Sequence, residues 1–154
     1  QENIVDVTYL PTEQLGDQAI DRKAVFDIYC QNQDGDKFII EMQKAEQEYF
    51  KDRAVYYSSF PIRELAPKGV WNYGLKRVYC IGILNFTFDD TSNDVKTRVK
   101  LMDIDKNKVF YDKLEYIFFE MPKFLKKGMK VLTFSLWTSH AVPVFNEIAF
   151  SIPS

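Results

Sequence analysis

The stretch from Lys23 to Gln43, KAVFDIYCQNQDGDKFIIEMQ, constrains this chain more than any other. Two runs rich in β-branched and aromatic residues, Lys23–Cys30 and Lys37–Gln43, flank a polar Asp-Gly break, which is a strong β-hairpin signal. Each run carries an acid among apolar neighbours: Asp27 lies between Phe26 and Ile28, and Glu41 between Ile40 and Met42. A carboxylate in a half-buried strand is costly unless it is paired, ligated or protonated. Two in one hairpin call for a shared explanation.

The turn decides whether the acids meet. A three-residue loop Gln33-Asp34-Gly35, with Gly35 at positive φ, pairs Asn32 with Asp36 and carries Asp27 opposite Glu41 on one face. A two-residue loop Asp34-Gly35 pairs Asp27 with Met42 instead and separates the acids. The longer loop is preferred because it keeps Ala24, Phe26, Ile28, Cys30, Phe38, Ile40 and Met42 together as one apolar face. Alternation then sets Gln43 beside Glu41.

Two carboxylates facing one another repel, and a divalent cation resolves that repulsion. Carboxylate oxygens, a backbone carbonyl and waters are the usual donors to Mg2+. The competing reading of the same residues is a pair of surface acids on a solvated sheet face.

The segments FDIYCQNQDGDKFIIEMQ, RAVYYSSF, VYCIGILNFTF and LEYIFFEMPKF, in this order and spacing, resemble the PD-(D/E)xK nuclease superfamily. More narrowly they resemble its transposase-like, recombination-promoting branch, which carries E-x-Q where the superfamily has (D/E)-x-K. Here that tripeptide is Glu41-Met42-Gln43. The similarity runs from about Asn3 to Phe124. It implies an α/β fold with a restriction-endonuclease-like core: a mixed β-sheet flanked by helices, with an additional antiparallel hairpin.

The resemblance also implies a Mg2+-dependent DNA endonuclease, Mn2+ being a substitute, that hydrolyses phosphodiester bonds with a metal-bound water. Asp27 and Glu41 would be catalytic metal ligands with the Met42 carbonyl, and Gln43 would position the water. Asp21 is the other candidate for the first acid; Asp27 is preferred because it lies in the strand. Lys23, Arg53 and Tyr56 are candidates for phosphate or DNA contact. For each there is a plainer reading, as a solvated strand-end lysine or as part of a tyrosine-packed helix. The alternative from another class is a catalytically weak or inactive nucleic-acid-binding or assembly module.

Two features depart from the family pattern. The family usually has an N-terminal helix bearing a further acid, whereas this sequence starts almost directly on a strand. Residues 125–154 read as a divergent C-terminal tail after a nuclease-like domain over 1–124. From Pro122 onward a basic cluster, Lys123, Lys126, Lys127 and Lys130, reads as a solvated face, and His140 has no Cys or Asp partners nearby for a transition metal.

Along the rest of the chain, Asn3–Leu10 alternates as a strand stopped by Pro11, and Pro11–Asp21 reads as a loop. Ala45, Tyr49, Arg53, Tyr56, Tyr57 and Phe60 fall at helical spacing, predicting a helix over Lys44–Ser58 that Pro61 ends or kinks. The run KRVYCIGILNFTF, residues 76–88, suits a central strand covered on both faces. Lys96–Ile104 and Val109–Met121 form a second hairpin about the turn 105–108. The helix is expected to cover Phe26, Ile28, Phe38, Ile40 and Met42.

With 154 residues, 46% of them hydrophobic, the chain can bury a core. It contains no apolar run of membrane-spanning length. Cys30 and Cys80 sit in apolar runs and read as buried thiols of a cytoplasmic protein. A net charge of −2 excludes the broad basic footprint of a nucleic-acid-coating protein. It leaves room for an acidic site with local phosphate contacts. The expected partners are DNA and, as a candidate assembly, a second copy of the chain.

Overall fold

The computed structural model describes residues 6–14, 24–65 and 72–126. Asp21, Lys23, Lys127, Lys130 and His140 lie outside the described residues, and so does the side chain of Lys126. The strands are β1 (Val7–Tyr9), β2 (Glu13–Gln14), β3 (Ala24–Val25), β4 (Ile28–Asn32), β5 (Lys37–Gln43), β6 (Val78–Leu84), β7 (Lys96–Asp103) and β8 (Lys108–Glu120). The helices are α1 (Phe50–Glu64), between β5 and β6, and α2 (Met121–Lys126). Six strands form one mixed sheet in the order β1-β4-β5-β6-β8-β7. The β1–β4–β5 and β8–β7 pairings are antiparallel, while β5, β6 and β8 run parallel. Two parallel neighbours need a crossover, and α1 supplies it between β5 and β6. The architecture is α/β and consistent with a restriction-endonuclease-like fold.

The hairpin turn takes the three-residue loop. Gly35 adopts φ +81°, its N–H donates to Asn32 O at 3.1 Å, and Asn32 N donates to Asp36 O at 3.1 Å. The Asn32 side chain braces the turn by accepting from the Asp34 and Asp36 amides. Ile28 therefore pairs with Ile40, and Cys30 with Phe38.

Alternation sends the sheet's side chains into two cores. Tyr29, Ile39, Val78, Cys80, Leu84, Tyr116 and Phe118 pack with Phe60 beneath α1. Cys30, Phe38, Ile40, Ile81, Ile83, Ile117 and Phe119 form the core of the opposite face, joined by Ile28, Met42, Met121 and Phe124. Ile28, Cys30, Phe38, Ile40 and Met42 share one face as expected of the hairpin, but Phe26 leaves it and α1 covers the other face. Ile28, Phe38, Ile40 and Met42 lie away from α1, and only Phe26 lies beneath it. The chain breaks between β3 and β4 at Phe26–Asp27, and Phe26 N donates to Thr12 O rather than to the hairpin. The break frees Phe26 from the strand's alternation, and its ring turns against Tyr57 and Phe60 of α1.

Other boundaries move for physical reasons. The helix begins at Phe50, six residues later than its periodicity suggested. Tyr49 at φ +60° turns the chain into it, and the Phe50 ring sets the entry by packing on Phe86, Phe88 and Phe118. Pro61 does not end the helix, which continues to Glu64. Pro61 is buried, and the last turn is held from outside the helix: Glu64 accepts from the Tyr29 hydroxyl and pairs with Lys37 at 3.2 Å. β6 is central but ends at Leu84, after which Phe86 and Phe88 fold back onto the α1 side. Within the expected loop 11–21, Glu13–Gln14 pairs with Ala24–Val25 as a small separate sheet. Lys123 is buried, not solvated: it pairs with the fully buried Glu120 at 2.8 Å and donates to Asp89 O. Among the described residues no helix is long and apolar enough to cross a membrane.

Candidate active site

The site lies where β4 begins and β5 ends. Asp27 is exposed and immediately precedes β4, rather than sitting mid-strand as its neighbours suggested. In the hairpin register it falls opposite Glu41, and the two acids are tied reciprocally through side chain and backbone. The Asp27 carboxylate accepts from Met42 N at 2.6 Å, and the Glu41 carboxylate accepts from Asp27 N at 3.3 Å. Side chains thus replace the ladder bonds that the strand break removes. Gln43 is buried, and its amide donates to the second Glu41 oxygen at 3.4 Å. Asp27, Glu41 and Gln43 form one hydrogen-bonded group.

Strand alternation carries Glu41 with Ile39 to the α1 side. There it lines a small pocket with Phe50, Arg53, Ala54 and Tyr57 of α1, Cys80 and Gly82 of β6, and Phe118 of β8. Glu41 pairs in register with Gly82, so no side chain on β6 crowds it. A Cβ at Gly82 would come within 2.8 Å of the Phe118 ring. Burial pushes the Glu41 carboxyl up to about 7, and the Asp27 charge adds to the shift; the Asp27 amide, Arg53 and Gln43 act the other way. The Tyr57 phenol is raised mainly by burial and next by Glu41.

The helix contributes Arg53 and Tyr57, one turn apart on the same face. Arg53 donates to the Gln47 side chain of the preceding loop, and its guanidinium lies 5.8 Å from the Tyr57 ring centre. Tyr56 is exposed, packs edge-on against Phe60 and does not line the pocket. Tyr57 was missed in the sequence, although its i, i+4 spacing from Arg53 could have found it. Gly82 carried a signal too, as an isolated glycine inside an apolar strand, which marks a close approach.

Among the described residues no three His, Cys, Asp or Glu side chains cluster as a metal cage. Two carboxylates are the smaller donor set that suits Mg2+, which binds through one or two carboxylates and fills its shell with water and substrate phosphates. The residues present therefore fit a hard divalent cation.

A mixed sheet with a βαβ crossover and paired acids where β4 meets β5 defines a nuclease-like α/β class. A family model described as PD-(D/E)XK nuclease family transposase matches residues 1–139, and the chain belongs to that family. The match passes the strand and α2 elements and ends beyond Phe124. Searches of curated proteins and of solved structures found no match.

Proposed function

We propose that this protein is a divalent-metal-dependent DNA endonuclease of transposase type that hydrolyses phosphodiester bonds, with Mg2+ as its cation and Mn2+ as a substitute. The observation that carries this reading is the reciprocal Asp27–Glu41 pairing with Gln43 bonded to the same carboxylate. Asp27 and Glu41 would hold the cation, with the Met42 carbonyl as a third donor. The chemistry supplied by a cation held there would be acidification of bound water and compensation of the charge that builds on the phosphate.

The chain's own residues do the rest. Gln43 contributes geometry without charge, since its amide donates and accepts but is never ionised. Its link to Glu41 fixes where that amide points, so it orients the attacking water. Arg53, the cation facing Glu41 across the pocket, suits bidentate contact with phosphate oxygens. The Phe50 aromatic cluster holds the start of α1 against the sheet and so keeps Arg53 within reach.

The test is nicking of supercoiled plasmid by the protein with Mg2+, Mn2+ or chelator, beside Asp27→Ala and Glu41→Ala. The reading expects metal-dependent nicking that both variants abolish, together with metal-dependent thermal stabilisation that both lose. DNA binding with neither nicking nor metal stabilisation would leave the binding-module reading in its place.

A further inference from the structure

Tyr57 has no part in the metal-site reading, yet its ring lines the same pocket as Glu41. One side of the ring environment is fixed by the core. Phe26 meets Tyr57 edge-on at 5.4 Å, and Phe26 is itself held by Tyr29 at 5.3 Å and Phe60 at 6.3 Å. The Arg53 guanidinium lies 5.8 Å from the ring centre, within the range of a cation–π contact. Arg53 is tethered a second time by the Gln47 side chain. Two tethers restrict a side chain that would otherwise sample many rotamers, and restricting it before binding lowers the ordering cost of a contact.

We propose that Tyr57 is a positioning residue whose ring is a shelf for Arg53, presenting the guanidinium to the non-bridging oxygens of a nucleic-acid phosphate beside Glu41. This rests on the nuclease reading for its ligand. The role belongs to the ring and not to the hydroxyl, and it acts only through Arg53. The Phe26–Tyr29–Phe60 packing makes the shelf rigid, which links the hydrophobic core under α1 to substrate alignment.

The test uses the full chain with Tyr57→Phe, Tyr57→Leu, Arg53→Ala and the Tyr57→Leu/Arg53→Ala double variant, each checked by circular dichroism for native folding. Two readouts are taken: plasmid nicking with Mg2+, and binding of a fluorescent duplex oligonucleotide with Ca2+ across a salt series. Tyr57→Phe should stay within about 3-fold of wild type. Tyr57→Leu should weaken KM and duplex binding by roughly 3- to 30-fold, the range of a cation–π contact, with a smaller change in kcat. The salt slope of binding should fall by about one in Tyr57→Leu and in Arg53→Ala, because one phosphate contact is lost. Tyr57→Leu should add nothing once Arg53 is Ala.

Three results would overturn the shelf: Tyr57→Phe as damaging as Tyr57→Leu, additive losses in the double variant, or Tyr57→Leu matching wild type. Should Tyr57→Leu misfold, Tyr57→Trp, which keeps a ring, and Arg53→Lys, which keeps the charge without the fork, take its place. The shelf then requires Trp to retain binding and Lys to lose it. If wild type nicks nothing but binds duplex with the same non-additive pattern, the shelf stands and only the nuclease reading falls. If it does not bind duplex at all, the shelf falls as well.

Discussion

Glu41→Gln should make the fold more stable at pH 8, and much less so at pH 5. The carboxyl is pushed from 4.5 to about 7, first by burial and next by the Asp27 charge. An acid with a raised folded-state pKa binds its proton more tightly folded than unfolded. Stability is therefore lost as pH rises from about 4.5 to about 7 and is constant above that. A shift of roughly 2.5 units corresponds to at most ~3.4 kcal/mol at 1.36 kcal/mol per unit. Glu41 is only partly buried, so solvent screening reduces the net cost to about 1–2 kcal/mol. Linkage places about a quarter of the cost at pH 5 and nearly all of it at pH 8. Glutamine has the same shape, and its carbonyl can still accept from the Asp27 amide while the Gln43 side chain rotates to match. Thermal unfolding followed by circular dichroism in chelator should show Glu41→Gln melting a few degrees above wild type at pH 8. The gain should shrink steadily toward pH 5. Equal gains at both pH values, or a loss at pH 8, would refute the electrostatic account of this site.

Further consequences can be measured separately. Gln43→Ala should reduce nicking by about 10²–10⁴-fold if the amide acts as a positioned group, with metal affinity from titration little changed. Gln43→Lys should retain or raise activity by restoring positive charge; wild-type activity in Gln43→Ala would remove the positioning role. Gly82→Ala should cost roughly 1–3 kcal/mol in urea unfolding. The Phe118 ring that its Cβ would strike is enclosed by Phe50, Phe88 and Tyr116 and has little room to yield. Lys123→Ala should cost about 3–5 kcal/mol in the same assay, because it leaves the fully buried Glu120 without its cation. Here Lys123→Ala with wild-type stability would mean that the Phe88 and Asp89 amides suffice for Glu120.

Local chemistry was enough where a local rule has one cheap solution. Keeping Ile28, Cys30, Phe38, Ile40 and Met42 on one face selects the three-residue loop over Asp34-Gly35, so the hairpin register could be read from the sequence, and with it the meeting of Asp27 with Glu41. The antiparallel pairing of β7 with β8 was legible too, but not its register, which shifts twice between Lys100 and Met102. The E-x-Q tripeptide and the ordered segments around it pointed to the family that the matching family model identifies.

What the tertiary structure decided was which face each group serves. Alternation assumes an unbroken strand, and the break at Phe26–Asp27 let packing against α1 choose the side for Phe26. The start of α1 was set by the distant rings of Phe86, Phe88 and Phe118, and its passage through Pro61 by contacts from Tyr29 and Lys37. Lys123 looked like a surface charge until Glu120, three residues earlier, was buried beside it under the loop at Asp89. Tyr57 became part of the site only when the crossover laid α1 over β5 and brought its ring to Glu41. Each of these depends on the free energy of burying one element against another; apart from the Lys123–Glu120 pair, whose burial comes from the distant loop at Asp89, no local window of sequence contains both partners of such a contact.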